Sequence, residues 1–322
     1  MALDAVIQAM CEAAPTGPLP DPSRDGVREA STRAMDDGFS RTGDFGPELA
    51  RVVEYSVAVA DGAVDIRVYT PFGEGPWPGH LYFHGGAWAL GNMRNHYFDA
   101  KCRFRCVRAD CVVVSVDYRL APEHKAPTAA EDCYAALCFA AHNADALGID
   151  VSMLSVGGDS AGGNLSAAVS NALRGEIDFR AALLIYGAFD LEASIRDYER
   201  YTPPGGDPVL PKASMKLMMD AYLSGGARTD DPRLSPIRDD LSAFPPSSTV
   251  TVARPSTGWS TSTAAGTTCA CTTDCTASCT AAGSSTSIQT HRCTGGSGWS
   301  RNNASVTTAR VPNDPIMSLP RS

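Results

Sequence analysis

The stretch best equipped for chemistry is Gly158-Asp159-Ser160-Ala161-Gly162-Gly163. It lies between an apolar strand pattern, Val151 to Val156, and a helical pattern, Asn164 to Arg174. A Gly-x-Ser-x-Gly run in that setting reads as a nucleophile elbow: the turn is so tight that the serine's neighbours must lack bulk, and the hydroxyl projects from the sheet. The following helix aims its free N–H groups at the same spot. A serine hydroxyl is a poor nucleophile alone; it needs a base for its proton and donors for the developing oxyanion. His84-Gly85-Gly86-Ala87, at the end of a second strand pattern, supplies donors. The amides of Gly85, Gly86 and Ala161 are expected to form the oxyanion hole, because glycine lets the backbone approach a substrate closely. The plainer alternative is two glycine-rich turns and an incidental serine. The strand before and the helix after Ser160 favour the catalytic reading, which is acyl transfer at a carbonyl carbon.

The elements that must hold these loops are legible around them. Glu54–Val59 and Val64–Tyr69 alternate with period two about Asp61-Gly62, a hairpin signal. His80–Phe83, Cys111–Val116 and Ala181–Tyr186 read as buried strands, Thr128–Ala146 as a helix, and Ser247–Val252 as one more strand. Strand and helix alternate from about residue 80, which predicts an α/β fold with a mostly parallel central sheet and helices on both faces. Residues 1–50 are polar, helical in flavour and broken by prolines from Pro15 to Pro22. Residues 190–240 interrupt the alternation with Pro203-Pro204-Gly205-Gly206 and an amphipathic helix, Lys212–Leu223. The two segments together suit a lid. Met215, Met218 and Met219 either line an adaptable apolar pocket or pack the helix.

At 322 residues the chain is long enough for a large core without disulfides. A net charge of -9 and a pI of about 5.1 argue against nucleic acid as a partner. Residues 1–8 show neither a basic start nor a long apolar run, and no stretch reaches membrane-spanning length, so a cytoplasmic protein is expected. Of 11 cysteines, Cys11, Cys102, Cys106, Cys111, Cys133 and Cys138 are scattered and read as buried free thiols. No cofactor is expected.

Three separated motifs resemble the hormone-sensitive-lipase-like branch of the α/β-hydrolases, the bacterial carboxylesterases. They are His84-Gly85-Gly86-Ala87-Trp88, Asp117-Tyr118-Arg119-Leu120-Ala121-Pro122-Glu123-His124 and Gly158-Asp159-Ser160-Ala161-Gly162-Gly163-Asn164-Leu165. Asp231-Pro232-Arg233-Leu234-Ser235-Pro236 is similar to that branch as well. The resemblance covers about residues 50–253. It implies a capped α/β-hydrolase: residues 1–50 as an N-terminal cap segment, and 51–253 as core with a cap insertion at about 190–230. The implied reaction is hydrolysis of short- to medium-chain carboxylic esters through an acyl-serine on Ser160, with Asp117–His124 structural. A lactone hydrolase and a non-catalytic ligand binder on the same fold stay open, as does a homodimer.

The resemblance also implies an acid just past Ala253 and a histidine later, and neither motif is present. Residues 254–322 change composition abruptly: 26 of these 69 are Ser or Thr, with no Lys, Phe, Tyr or Glu. Without periodicity, such a segment cannot supply a last strand and helix. It reads as a disordered extension, a metal site or an out-of-frame translation. Cys269, Cys271, Cys275, Cys279 and Cys293 lack the paired C-x-x-C spacing of zinc knuckles, so no metal is expected. Codon bookkeeping favours the frame account. With four-fold codons, and each new codon taken as the last base of one residue plus the first two of the next, Pro255–Thr261 admits an apolar-Asp-x-Leu-Val-Asp run. The Cys293–Thr294 junction admits His or Tyr followed by Gly. A ratio of 23 Arg to 4 Lys suits the GC-rich gene that such a translation needs. Neither His291 nor Asp274 is assigned a role.

Overall fold

A computed structural model describes residues 26–40, 45–200 and 212–250. Its strands are β1 (Arg51–Val59), β2 (Gly62–Thr70), β3 (Trp77–Phe83), β4 (Val112–Asp117), β5 (Ile149–Asp159), β6 (Ala181–Ile185) and β7 (Ser247–Val250). They form a single sheet in the order β1-β2-β4-β3-β5-β6-β7. The β1–β2 and β2–β4 pairs are antiparallel and the rest parallel. The expected hairpin closes at Val59↔Gly62, where Gly62 takes φ 140°, a backbone that only glycine adopts cheaply.

The helices are α1 (Val27–Ser40), α2 (His96–Arg108), α3 (Thr128–His142), α4 (Ala144–Leu147), α5 (Ala161–Ala172), α6 (Leu191–Arg200) and α7 (Lys212–Leu223). The helix expected over 128–146 breaks at Asn143, whose side chain donates to the Phe139 carbonyl, and ends at left-handed Gly148. Within α7, Met218 and Met219 are buried in the main core, so helix packing accounts for them. Cys102, Cys106, Cys111, Cys133 and Cys138 are buried and in no disulfide, as expected. Residues 1–25, which include Cys11, and everything beyond Val250 lie outside the described residues. Among the described residues no helix is long and apolar enough to cross a membrane.

The two faces of the sheet are covered unequally. On one, Leu81, Phe83, Val112, Val114 and Val116 pack under α3 and α5 in the larger core. On the other, Tyr69, Tyr82 and Val113 meet Phe98, Cys102, Cys106 and Cys111 in a smaller one. Register places Leu183 and Ile185 on this second face, beside Tyr82, Gly157 and Asp159. Both are only half-buried, whereas Ala182 and Leu184, on the first face, are buried. Helix α1 lies against α2: Asp36 Oδ1 accepts from the His96 amide (2.8 Å) and from Asn95 Nδ2 (2.6 Å), capping α2 from another element.

Candidate active site

β5 ends at Asp159 and α5 begins at Ala161, leaving Ser160 alone in the bend. Its φ is 55° and ψ −119°, a conformation L-residues adopt only when their surroundings impose it. The surroundings do. The Ser160 amide donates to the Ile185 carbonyl at 2.8 Å, and the Asn164 amide donates to the Ser160 carbonyl at 3.1 Å. The flanking glycines admit no side chain. A Cβ on Gly158 would lie 2.4 Å from the Phe83 carbonyl oxygen, and one on Gly162 only 1.9 Å from the same atom. Helix α5 therefore packs directly on the end of β3. Ser160 itself is half-buried, and its side chain does not cap α5.

The loop after β3 comes alongside. A Cβ on Gly85 would lie 3.4 Å from Ser160 Cβ and 2.8 Å from Asp159 Oδ2, so only glycine fits. The backbone N–H groups of Gly85, Gly86 and Ala161 have no hydrogen-bond partner among the described residues. Gly85 thus lies against Ser160 at the carboxyl end of the parallel strands, with Ala161 next to Ser160 in the chain and Gly86 next to Gly85. This is where open α/β sheets bind ligands.

The Asp117–His124 stretch supports the loop from behind. Tyr118 Oη donates to the His84 carbonyl at 2.7 Å, and its ring stacks on His84 with centroids 4.3 Å apart. The Ala121 amide donates to the Trp88 carbonyl at 2.9 Å. Arg119 pairs with Asp132, which is fully buried. His84 Nδ1 lies 2.8 Å from the Gly85 carbonyl. A carbonyl only accepts, so Nδ1 carries the proton, and burial lowers the ring's pKa and keeps it neutral. The Asp231–Pro236 motif is structural too: Asn164 Nδ2 donates to the carbonyls of Ala188 (2.6 Å) and Leu234 (2.7 Å), tying the chain after β6 to the start of α5.

Sequence reasoning missed what surrounds Asp159. Its carboxylate accepts from Tyr82 Oη, lies 3.5 Å from Tyr186 Oη and pairs with Lys101 Nζ at 3.2 Å. Lys101 also stands 4.0 Å over the Tyr97 ring. The carboxylate is buried against Gly85, so its charge would bear on the loop if the ammonium did not offset it. The one signal was compositional, a lysine inside α2 in a chain with only 4. Among the described residues no histidine hydrogen-bonds the Ser160 hydroxyl, and no cluster of His, Cys, Asp and Glu could hold a metal.

A serine in an elbow between a parallel strand and a helix, faced by unpaired amides, is the arrangement of an α/β-hydrolase. The chain belongs to that family, in its hormone-sensitive-lipase-like branch: the model of an α/β-hydrolase-fold family matches residues 80–267. The carboxylesterase NlhH of Mycobacterium tuberculosis is 34% identical over 253 residues, 76% of each chain. The carboxylic ester hydrolase LipN of the same organism is 38% identical over 211 residues. That match covers 62% of this chain and little more than half, 55%, of LipN. Among solved structures, a hyperthermophilic esterase of the archaeon Pyrobaculum calidifontis superposes with a TM-score of 0.67 at 33% identity, over 77% of this chain and 79% of that one.

Proposed function

We propose that the chain is built as a serine carboxylesterase acting on small-molecule esters of short to medium acyl chain. The observation that carries this reading is a strained, half-buried Ser160 at the start of α5 with Gly85 against it, while the amides of Gly85, Gly86 and Ala161 are unpaired among the described residues. The names of the relatives, ester hydrolases and esterases, support it.

In this reading Ser160 Oγ attacks the acyl carbon and gives its proton to a base. The carbonyl oxygen takes the negative charge and accepts from the Gly85, Gly86 and Ala161 amides. The alkoxide then leaves with a proton as the alcohol, and water repeats the sequence on the acyl-serine, releasing the acid. The base is not found among the described residues. We extend the proposal to the layout: residues 51–253 as core, 1–50 and about 190–230 as cap, and 254–322 as a segment read out of frame. Location in the cytoplasm and independence from nucleic acid belong to the same reading.

A fluorophosphonate probe tests it. Labelling at Ser160 that is lost in Ser160→Ala supports the enzyme, and comparison of a p-nitrophenyl ester with a lactone then separates the two hydrolase readings. Restoring the alternative frame after the Ala253 codon should raise ester hydrolysis by about a thousandfold or more, the scale of adding a base to a bare nucleophile. Folded protein that stays unlabelled in both frames overturns the reading and leaves a ligand binder.

A further inference from the structure

The loop beside Ser160 runs through three successive residues at positive φ: Gly86 at 130°, Ala87 at 50° and Trp88 at 59°. Only the first is glycine. The other two hold a conformation that L-residues leave unless something ties them down. Three ties come from the body of the fold: Tyr118 on the His84 carbonyl, the Ala121 amide on the Trp88 carbonyl, and the Trp88 indole stacked on Tyr222 at 4.6 Å and 4°. The fourth comes from α1. Arg28 Nε donates to the Ala89 carbonyl at 3.0 Å, and the same guanidinium donates to the Ala121 carbonyl at 2.5 Å. Its two terminal nitrogens grip both oxygens of Glu123. One planar group thus bridges the loop, at Ala89, and the segment that holds Trp88, at Ala121. A lysine has neither the fork nor the reach to satisfy all these acceptors.

We propose that Arg28 is a positioning residue: it locks the Gly86–Ala89 segment in the conformation that turns the Gly85 and Gly86 amides toward Ser160. The proposal rests on the esterase reading of Ser160 for its consequence, though not for its geometry. It gives helix α1 a task beyond covering the site. Glu123 belongs to the task, because it holds the guanidinium edge opposite Nε, through Nη1 and Nη2.

The test uses the full chain with Arg28→Met, Arg28→Lys and Glu123→Gln, and two readouts. The first is amide hydrogen exchange over residues 85–91, with α5 as internal reference. Arg28→Met should speed exchange in the loop about tenfold and leave α5 unchanged; Arg28→Lys should restore little of it, and Glu123→Gln should shift it in the same direction by less. The second is phosphonylation of Ser160. Its saturating rate should fall about tenfold in Arg28→Met while the concentration for half-saturation stays within about twofold, because aim is lost rather than binding. Loop exchange that matches the parent overturns the proposal, whatever happens to labelling, and a general loss of protection that includes α5 reduces Arg28 to a stabilising residue. Should Arg28→Met not fold, Glu123→Gln decides by the same criteria. A parent chain unlabelled in both frames counts against the esterase reading alone, and the exchange comparison then settles the clamp.

Discussion

The elbow and the loop that faces it meet the same requirement by opposite means. Both hold non-glycine residues at positive φ, Ser160 in one and Ala87 and Trp88 in the other. At the elbow the constraint is contact: backbone lies so close to Gly158 and Gly162 that nothing else fits. Along the loop the constraint is reach, with Arg28, Tyr118, Ala121 and Tyr222 converging from three segments. Contact of the first kind is built into the core and fails only when the core fails. Reach of the second kind can fail alone, which leaves a folded protein with misplaced Gly85 and Gly86 amides.

The largest test of this contrast pairs Gly162→Ala with Gly86→Ala. The new Cβ would sit 1.9 Å from the Phe83 carbonyl oxygen in the first and 2.0 Å from the Leu90 carbonyl oxygen in the second. Gly162→Ala should cost about 4 kcal/mol or more, because backbone on both sides must part. Gly86→Ala meets only its own loop, which can shift without parting the core, so it should cost about 2–3 kcal/mol while slowing Ser160 labelling about a hundredfold. Urea unfolding of both variants checks this, and similar stabilities would erase the distinction.

Next in size is the pairing of half-buried Lys101 with buried Asp159 beside Gly85. Lys101→Met alone leaves the Asp159 carboxylate uncompensated and should destabilise by about 3 kcal/mol, whereas Lys101→Met with Asp159→Asn should recover most of it. Acid acts through β3, the strand that leads into the loop. Burial lowers the His80 pKa from 6.5 to about 3. The unfolded chain therefore binds a proton that the folded one refuses between these values. Stability should be full above about pH 6.5 and fall by about 1.4 kcal/mol per pH unit as pH drops toward 3, with Gln at position 80 removing that share. Last, Ser160→Gly should exceed Ser160→Ala in stability by about 1 kcal/mol, since only glycine is at ease at φ 55° and ψ −119°.

The same contrast explains what could be read from the sequence. The elbow is local, six adjacent residues between two periodic patterns, and it was legible along with the hairpin, the parallel strands and α7. The loop was legible only as His84-Gly85-Gly86. Of its supports, the Asp117–His124 stretch was singled out as structural, but Arg28 was not, because it stands 61 residues before Ala89 and no pattern in α1 announces a partner that distant. Helix α2 escaped notice for a different reason. Its buried residues Phe98, Cys102 and Cys106 keep a four-residue spacing, but Lys and Arg fill the positions between and blunt the apolar stripe. The acid and base that the resemblance implies had no counterpart in the sequence beyond Ala253, and the described residues end before it.

The five buried thiols give this molecule a built-in reporter. Cys102, Cys106 and Cys111 sit beneath α2 on one face of the sheet, and Cys133 and Cys138 lie along α3 on the other. Burial pushes Cys102 and Cys106 up to about 12 and Cys111 to about 11, and raises Cys133 well above its ordinary value. Thiolate is the species that alkylating reagents attack, so at neutral pH each of these positions stays silent until its own layer opens. Pulse alkylation followed by peptide mass spectrometry would therefore time the two layers separately, without an added probe. The thinner layer, under α2, should lose its silence first.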